Sequence, residues 1–357
     1  MTPDPTAAPT SAQRPAVPPG AARAAGLLLG FAADRLLGDP RRRHPVAGFG
    51  AAASALERRV WADSRARGAA YVAVLVGGAA LAGRAAARGA GRGPLAHAAV
   101  TAAATWVVLG GRSLEREALA VHAHLARGDL PAARQRLTHL VGRDTTGLDE
   151  GGIARAVVES VAENTSDAVV APLVWGAFAG VPGLLGHRAA NTLDAMVGHK
   201  NPRYERFGWA SARLDDALNL PGSRLSGLLA AAAAGTPARA RRALATWRAD
   251  AAAHPSPNAG VVEAAFAGAL GVRLGGTNRY GTRTEHRAVL GTGRQARAAD
   301  IPRAVALARR VDAGAALLAA GAALAGARVA ARAQVTARAR APRSPGGPRR
   351  TRRRRAG

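Results

Sequence analysis

Two apolar stretches constrain the fold of this chain more than anything else in it. Gly68 to Gly83 and Pro94 to Gly110 carry almost no charge, and Arg84, Arg88 and Arg92 stand between them. Each is a little shorter than the roughly 20 residues a helix needs to cross a bilayer. Paired through a short, Arg-rich connection, they have the pattern of a membrane hairpin with a cytoplasmic turn. A helical hairpin buried in a soluble protein would satisfy the same pattern, because alanine is only weakly apolar. Further apolar runs follow at Leu228–Gly235, Val261–Leu270 and Ala313–Ala327. Another, Ala168 to Gly186, is interrupted by Pro172, Gly176, Gly180 and Pro182. Backbone broken in that way is expected to be re-entrant or buried in protein, since lipid cannot satisfy it. No strand alternation and no internal repeat is evident. The expectation is an all-α, multi-pass membrane protein with polar stretches between its helices.

Three segments are expected. Residues 1–20 are rich in Pro, Ala and Thr and should be disordered; with no basic n-region they do not make a signal peptide. Residues 21–327 hold the membrane-embedded helices. Residues 328–357 form a disordered tail with eleven arginines and no acid, expected on the cytoplasmic side. That tail supplies much of a formal net charge of +27. Such a charge raises the question of nucleic acid, but no base-stacking aromatic pattern accompanies it. With no cysteine in the chain, disulfides, thiolate metal sites and cysteine nucleophiles are excluded.

The polar residues converge on the middle of the sequence. Lys200 is the only lysine, and all six asparagines lie between positions 164 and 278. In an Arg- and Ala-biased chain such residue types point to chemistry. The run Arg155 to Asp167 keeps helical spacing at Val157, Val158, Val161 and Ala162. It places Glu159, Glu163 and Asp167 at i, i+4 and i+8, on one face. Like charges so spaced cost about 0.2–0.5 kcal/mol per pair, so a metal ion, an arginine cluster or a cationic substrate group is expected against them. Asn191, Asp194, His199 and Lys200 form a second cluster around the end of a short helix. Arg213, Asp215 and Asp216 form a third. Upstream, Gly38 and Pro40 make a turn that draws Asp34, Asp39 and His44 together. Arg143 and Asp144 occupy a polar turn before the carboxylate helix, where Asp144 suits either a cap or a site. Asn258 lies in a Pro-rich loop. Asn278 and Tyr280 lie in a glycine-rich loop, Gly275–Gly281, of the kind that can turn backbone N–H groups toward phosphate.

Taken together these stretches resemble the adenosylcobinamide-phosphate synthase family of cobalamin biosynthesis. The resemblance is carried by DRLLGDPRRRHPVAGFG from Asp34, by LVGRDTTGLDEGGIARAVVESVAENTSDAVVAP from Leu140, and by ANTLDAMVGHKNPRYERFGWASARL from Ala190 with Asp215 and Asp216. His254–Ala259 and Gly275–Gly281 complete it, in order, over roughly residues 25–310.

The family is an integral membrane one, expected in the cell (inner) membrane. The resemblance implies amide ligation of (R)-1-amino-2-propanol, or its O-phosphate, to the propionate carboxylate of adenosylcobyric acid. It also implies ATP and Mg²⁺ as cofactors, though no recognised ATP motif is present. On this reading Glu159, Glu163 and Asp167, with Asp215 or Asp216, are the metal ligands. Lys200, Arg143 and Arg213 hold phosphate charge. Asp194 or His199 takes the amine proton. Asn164, Asn191, Asn258 and Asn278 read the amide rim of the corrinoid, with Asp34, Asp39, His44, Asp144 and Tyr280 as further substrate contacts. The other classes open to such a sequence are a transporter with intramembrane carboxylates and a scaffold for corrinoid-pathway enzymes.

Overall fold

A computed structural model describes residues 19–40, 44–91, 93–280 and 283–340, the side chains of Pro19, 278–285 and 330–340 excepted. Three helical stretches are long and apolar enough to cross a membrane: Arg65–Gly89 (α3), Pro94–Ala126 and Asp300–Val329. The second comprises α4 (Pro94–Val108) and α5 (Gly111–Ala126); the third is most of α13 (Asp300–Arg340). Their outer faces carry exposed Val74, Leu81, Leu95, Leu317 and Leu318, as lipid-facing helices require. The architecture is that of an all-α membrane protein. Helix α13 runs past position 328, so the first part of the Arg-rich tail is helical.

Small residues let the helices close on one another. Helix α1 (Pro19–Leu37) lies along α4, and a Cβ on Gly26 or Gly30 would stand 2.5 or 2.4 Å from the Cβ of Thr101 or Thr105. Close packing of this small-residue kind drives helix association where lipid removes the hydrophobic incentive. One large core draws on α7 (Glu150–Thr165), α8 (Ala171–Ala179), α12 (Ala259–Leu270) and α13. Every residue of α12 is buried. A smaller core joins α2 (Pro45–Val60), α3 and α9 (Val181–Val197), where Tyr71 meets Phe207 at 5.1 Å and donates to Ala53 O at 3.1 Å.

The broken run after the carboxylate helix stays helical. Helix α7 passes through a π turn, Ser166–Val170, directly into α8. Pro172 has no N–H and crowds the carbonyl one turn back, and a π turn is a common way to absorb that strain. The true break comes at Gly180, whose φ of +66° suits glycine. The Gly275–Gly281 stretch differs from expectation as well. It belongs to strand β1 (Val272–Tyr280), antiparallel to β2 (Arg283–Leu290) and parallel to the two-residue β3 (Arg294–Gln295). A bulge between Leu274 and Gly276 breaks the strand register, and Gly275 takes a φ of +81° there.

Candidate functional site

Glu159 and Glu163 project from α7, Asp167 from the π turn, Asp194 from α9, Asp215 and Asp216 from α10 (Trp209–Ala232), and Glu263 from α12. Each feels the charge of others in the set, so the seven carboxylates make one continuous acidic cluster. Cations close it on two sides. Arg143 and Arg287 act on Glu163 and Glu263, while His199 acts on Asp194 and both Lys200 and Arg213 act on Asp216. Three motif stretches far apart in sequence therefore share one site.

Glu159 anchors this site. Buried at 5 % exposure, it accepts from Arg143 Nη2 at 2.5 Å and from Gly275 N at 2.8 Å. Arg155, one turn earlier, donates to the carbonyls of Gly275 and Thr277 and so clamps β1 onto α7. Two of the expected roles are corrected by this geometry. Arg143 is sequestered in an ion pair and is not presented to phosphate, and Gly275 turns its N–H toward a carboxylate. Glu163, in contrast, has an exposed side chain, and the charges of Glu159 and Asp194 reach it.

Asp215 is held on both oxygens. Asn191 Nδ2 donates to Oδ1 at 3.3 Å and Asn219 Nδ2 to Oδ2 at 2.9 Å. Behind Asn219 stands His187, which burial keeps neutral with its pKa lowered to about 4, and whose Nε2 lies 2.9 Å from Asn219 Oδ1. Burial, then the nearby charge of Asp194, pushes Asp215 up to about 7, against the two amide hydrogen bonds. Burial likewise raises Glu163, Asp167, Asp194 and Glu263, with neighbouring carboxylates adding to it. A carboxyl held near 7, as Asp215 is, exchanges its proton near neutrality, as acid–base chemistry needs.

Other expected residues lie elsewhere or serve the fold. Asn258 is buried, with Oδ1 accepting from Ser223 and Arg224 and Nδ2 donating to Asp216 O, all at 2.8–2.9 Å, so it binds α10 and is not free to read a substrate. Asp144 Oδ1 accepts from Thr146 N at 2.9 Å in a turn, while Asp149 caps α7. His44 Nδ1 caps α2 through Val46 N at 3.1 Å. Asp34 is fully buried at the start of α5, where Asp39 is its charged neighbour rather than the seven-carboxylate cluster. Asn164 bonds back to Ser160 O at 2.9 Å. The side chains of Asn278 and Tyr280 lie outside the described residues. Among the described residues no three acidic or histidine groups stand together as a metal cage. Of the five carboxylates expected as metal ligands, Glu159 is paired with Arg143.

Sequence reading missed Glu263 and Arg287. Glu263 is the lone acid on an otherwise apolar helix, with Oε1 unpartnered among the described residues and His254 Nε2 at 3.8 Å. A single carboxylate in such a helix was itself the available signal. Arg287 comes from β2, a strand that helical periodicity does not reveal.

Comparison with known proteins gives the family. The family described as CobD/Cbib protein matches residues 27–308. The "Cobalamin biosynthesis protein CobD" of Mycobacterium tuberculosis (strain ATCC 25618 / H37Rv) is 53% identical over 301 residues, covering 83% of this chain and 94% of its own. The protein of the same description from Chromobacterium violaceum is 46% identical over 286 residues, 78% of this chain and 89% of its own. No solved structure matches. The chain belongs to the CobD/Cbib family of cobalamin biosynthesis.

Proposed function

We propose that this chain forms the amide bond between (R)-1-amino-2-propanol, or its O-phosphate, and the propionate carboxylate of adenosylcobyric acid. The observation that supports this reading is that the carboxylates Glu163, Asp194, Asp215 and Asp216 lie within reach of one another's charge, with His199 acting on Asp194 and both Lys200 and Arg213 acting on Asp216. An amide ligase needs groups of both kinds, to take a proton from the attacking amine and to hold anionic oxygens.

Joining a carboxylate to an amine in water is uphill, so ATP is the proposed activator. Mg²⁺ usually takes one or two carboxylates plus phosphate oxygens, and Asp167 and Asp216 are the carboxylates that would serve it. It would supply charge neutralisation for phosphoryl chemistry. The chain's own residues do the rest. Lys200 and Arg213 hold anionic oxygens. Asp215, titrating near 7, and Asp194 accept the proton that an ammonium group must lose before it attacks. Asn191 and Asn219 keep the Asp215 carboxylate aimed while this occurs.

The test uses washed membranes supplied with adenosylcobyric acid, ATP, Mg²⁺ and either aminopropanol or its phosphate. Mass spectrometry follows the condensed corrinoid. Wild type should give product, and Glu163→Gln, which removes one carboxylate from the cluster, should lose most of the rate. Product from both would move the centre away from Glu163. Product from neither, in a verified assay, would favour a transporter or scaffold.

A further inference from the structure

Asp312 lies within the span of α13, twelve residues from its start at Asp300 and therefore about 18 Å along the helix. A hydrocarbon core is about 30 Å thick, so a carboxylate there is expected to have a partner. It is 3 % exposed, and among the described residues its Oδ1 has no hydrogen-bond partner. Asp34, on α1, is completely buried and has the same vacancy on Oδ1.

Gly111 brings the two acids together. A methyl group there would stand 3.1 Å from Asp34 Oδ2 and 3.6 Å from Asp312 Oδ2. Asp34 Oδ2 accepts one hydrogen bond, from Arg112 N at 3.2 Å.

The cations nearby are already engaged. Arg35 on α1 and Arg309 on α13 both bind the buried Glu115 of α5, with Arg309 Nε 2.9 Å from Oε2, and Arg112 Nη1 is 3.8 Å from the same oxygen. Arg35 is the one cation whose charge also reaches Asp34 and Asp312, while Asp39 and Glu115 oppose it at Asp34. From the π turn only the apolar Val169 faces Gly111, at 3.1 Å from the position of a Cβ. Among the described residues no arginine, lysine or histidine forms an ion pair with Asp34 or Asp312, since Arg35 and Arg309 pair with Glu115. No metal cage of three or more acidic or histidine groups exists among the described residues, which favours an ion that needs few ligands over a divalent one.

We propose that Asp34 and Asp312 hold one small monovalent cation between them, a proton or a sodium ion, and so tie α1 to α13 behind the π turn. The site is separate from the acidic cluster and does not depend on the ligase reading. Val169, which lies against Gly111, shares the π turn with Asp167.

The probe is N,N′-dicyclohexylcarbodiimide, which adds to protonated carboxyls in apolar surroundings. The full-length protein in sodium-free choline buffer is labelled at about pH 6 and about pH 8.5, and the adduct is mapped by mass spectrometry. An adduct on Asp34 or Asp312 that falls by more than about fivefold at the higher pH is the expected result, since only the protonated carboxyl reacts. Insensitivity to added sodium identifies the proton as the ion. Suppression by sodium, with choline as control, identifies sodium. Asp312→Asn should abolish labelling at 312 while thermal stability stays near that of wild type, since an amide of equal size needs no counter-ion. No adduct on either residue of the folded wild type, under any of these conditions, overturns the proposal.

Discussion

Replacing Asp215 by Asn removes one charge from the centre of the acidic cluster and leaves its shape unchanged. The carboxyl titrates at about 7 in the folded protein against an ordinary 3.8. A group raised in this way takes up a proton on folding. Its stabilising contribution is complete below about pH 4 and is lost as pH rises through 7. At about 1.4 kcal/mol per pKa unit, the span amounts to about 4 kcal/mol. Asp194 and Asp216 titrate with it, so the part that one replacement removes is about 2–4 kcal/mol. Between pH 5 and pH 9 only the part of the span from 5 up to about 7 is crossed, about 3 kcal/mol at most, so at about 2 °C per kcal/mol for a chain of this size the melting temperature of wild type should fall by up to about 6 °C more than that of Asp215→Asn. At low pH the order reverses. Both oxygens of Asp215 accept from amides, so the new NH₂ meets a donor and costs about 1–3 kcal/mol. Asn219 can turn over to relieve this, because His187 has a second, unpartnered nitrogen with which to change tautomer. Thermal melts in detergent at four or five pH values make the comparison. Parallel curves for the two proteins would show that Asp215 is an ordinary surface-like carboxylate and would refute the argument.

Two further outcomes follow from the packing. Arg143→Ala leaves Glu159 buried beside another acid, and should lower stability by about 3–5 kcal/mol; Arg143→Ala with Glu159→Gln should recover part of that in the same denaturation assay. Gly222→Ala would place a methyl group 2.5 Å from the Cβ of Ala171. It should cost about 1–3 kcal/mol by pushing α10 off the start of α8, and it should reduce ligation, since α10 carries Asp215.

The sequence alone determined the class of this molecule, because apolar segments, Arg-rich connections and helical spacing are local properties that physics ties to membrane helices. It also located the acidic stretches, since carboxylates at i, i+4 and i+8 in a basic chain stand out without any fold. The family was legible for the same reason: its motifs are runs of adjacent residues. The tertiary structure decided how those runs are divided between chemistry and architecture. Asn258 and Asn191 look alike in sequence, yet one is buried with its oxygen doubly bonded and the other steadies Asp215 at the site. Arg143 and Lys200 are both cations near carboxylates, but only burial pairs Arg143 with Glu159. Glu263 enters the cluster because α12 is wrapped on every side, which its own apolar sequence does not specify. Asp312 meets Asp34 across Gly111 from opposite ends of the chain. Side-chain environment depends on long-range packing, and packing has no signature in any one segment.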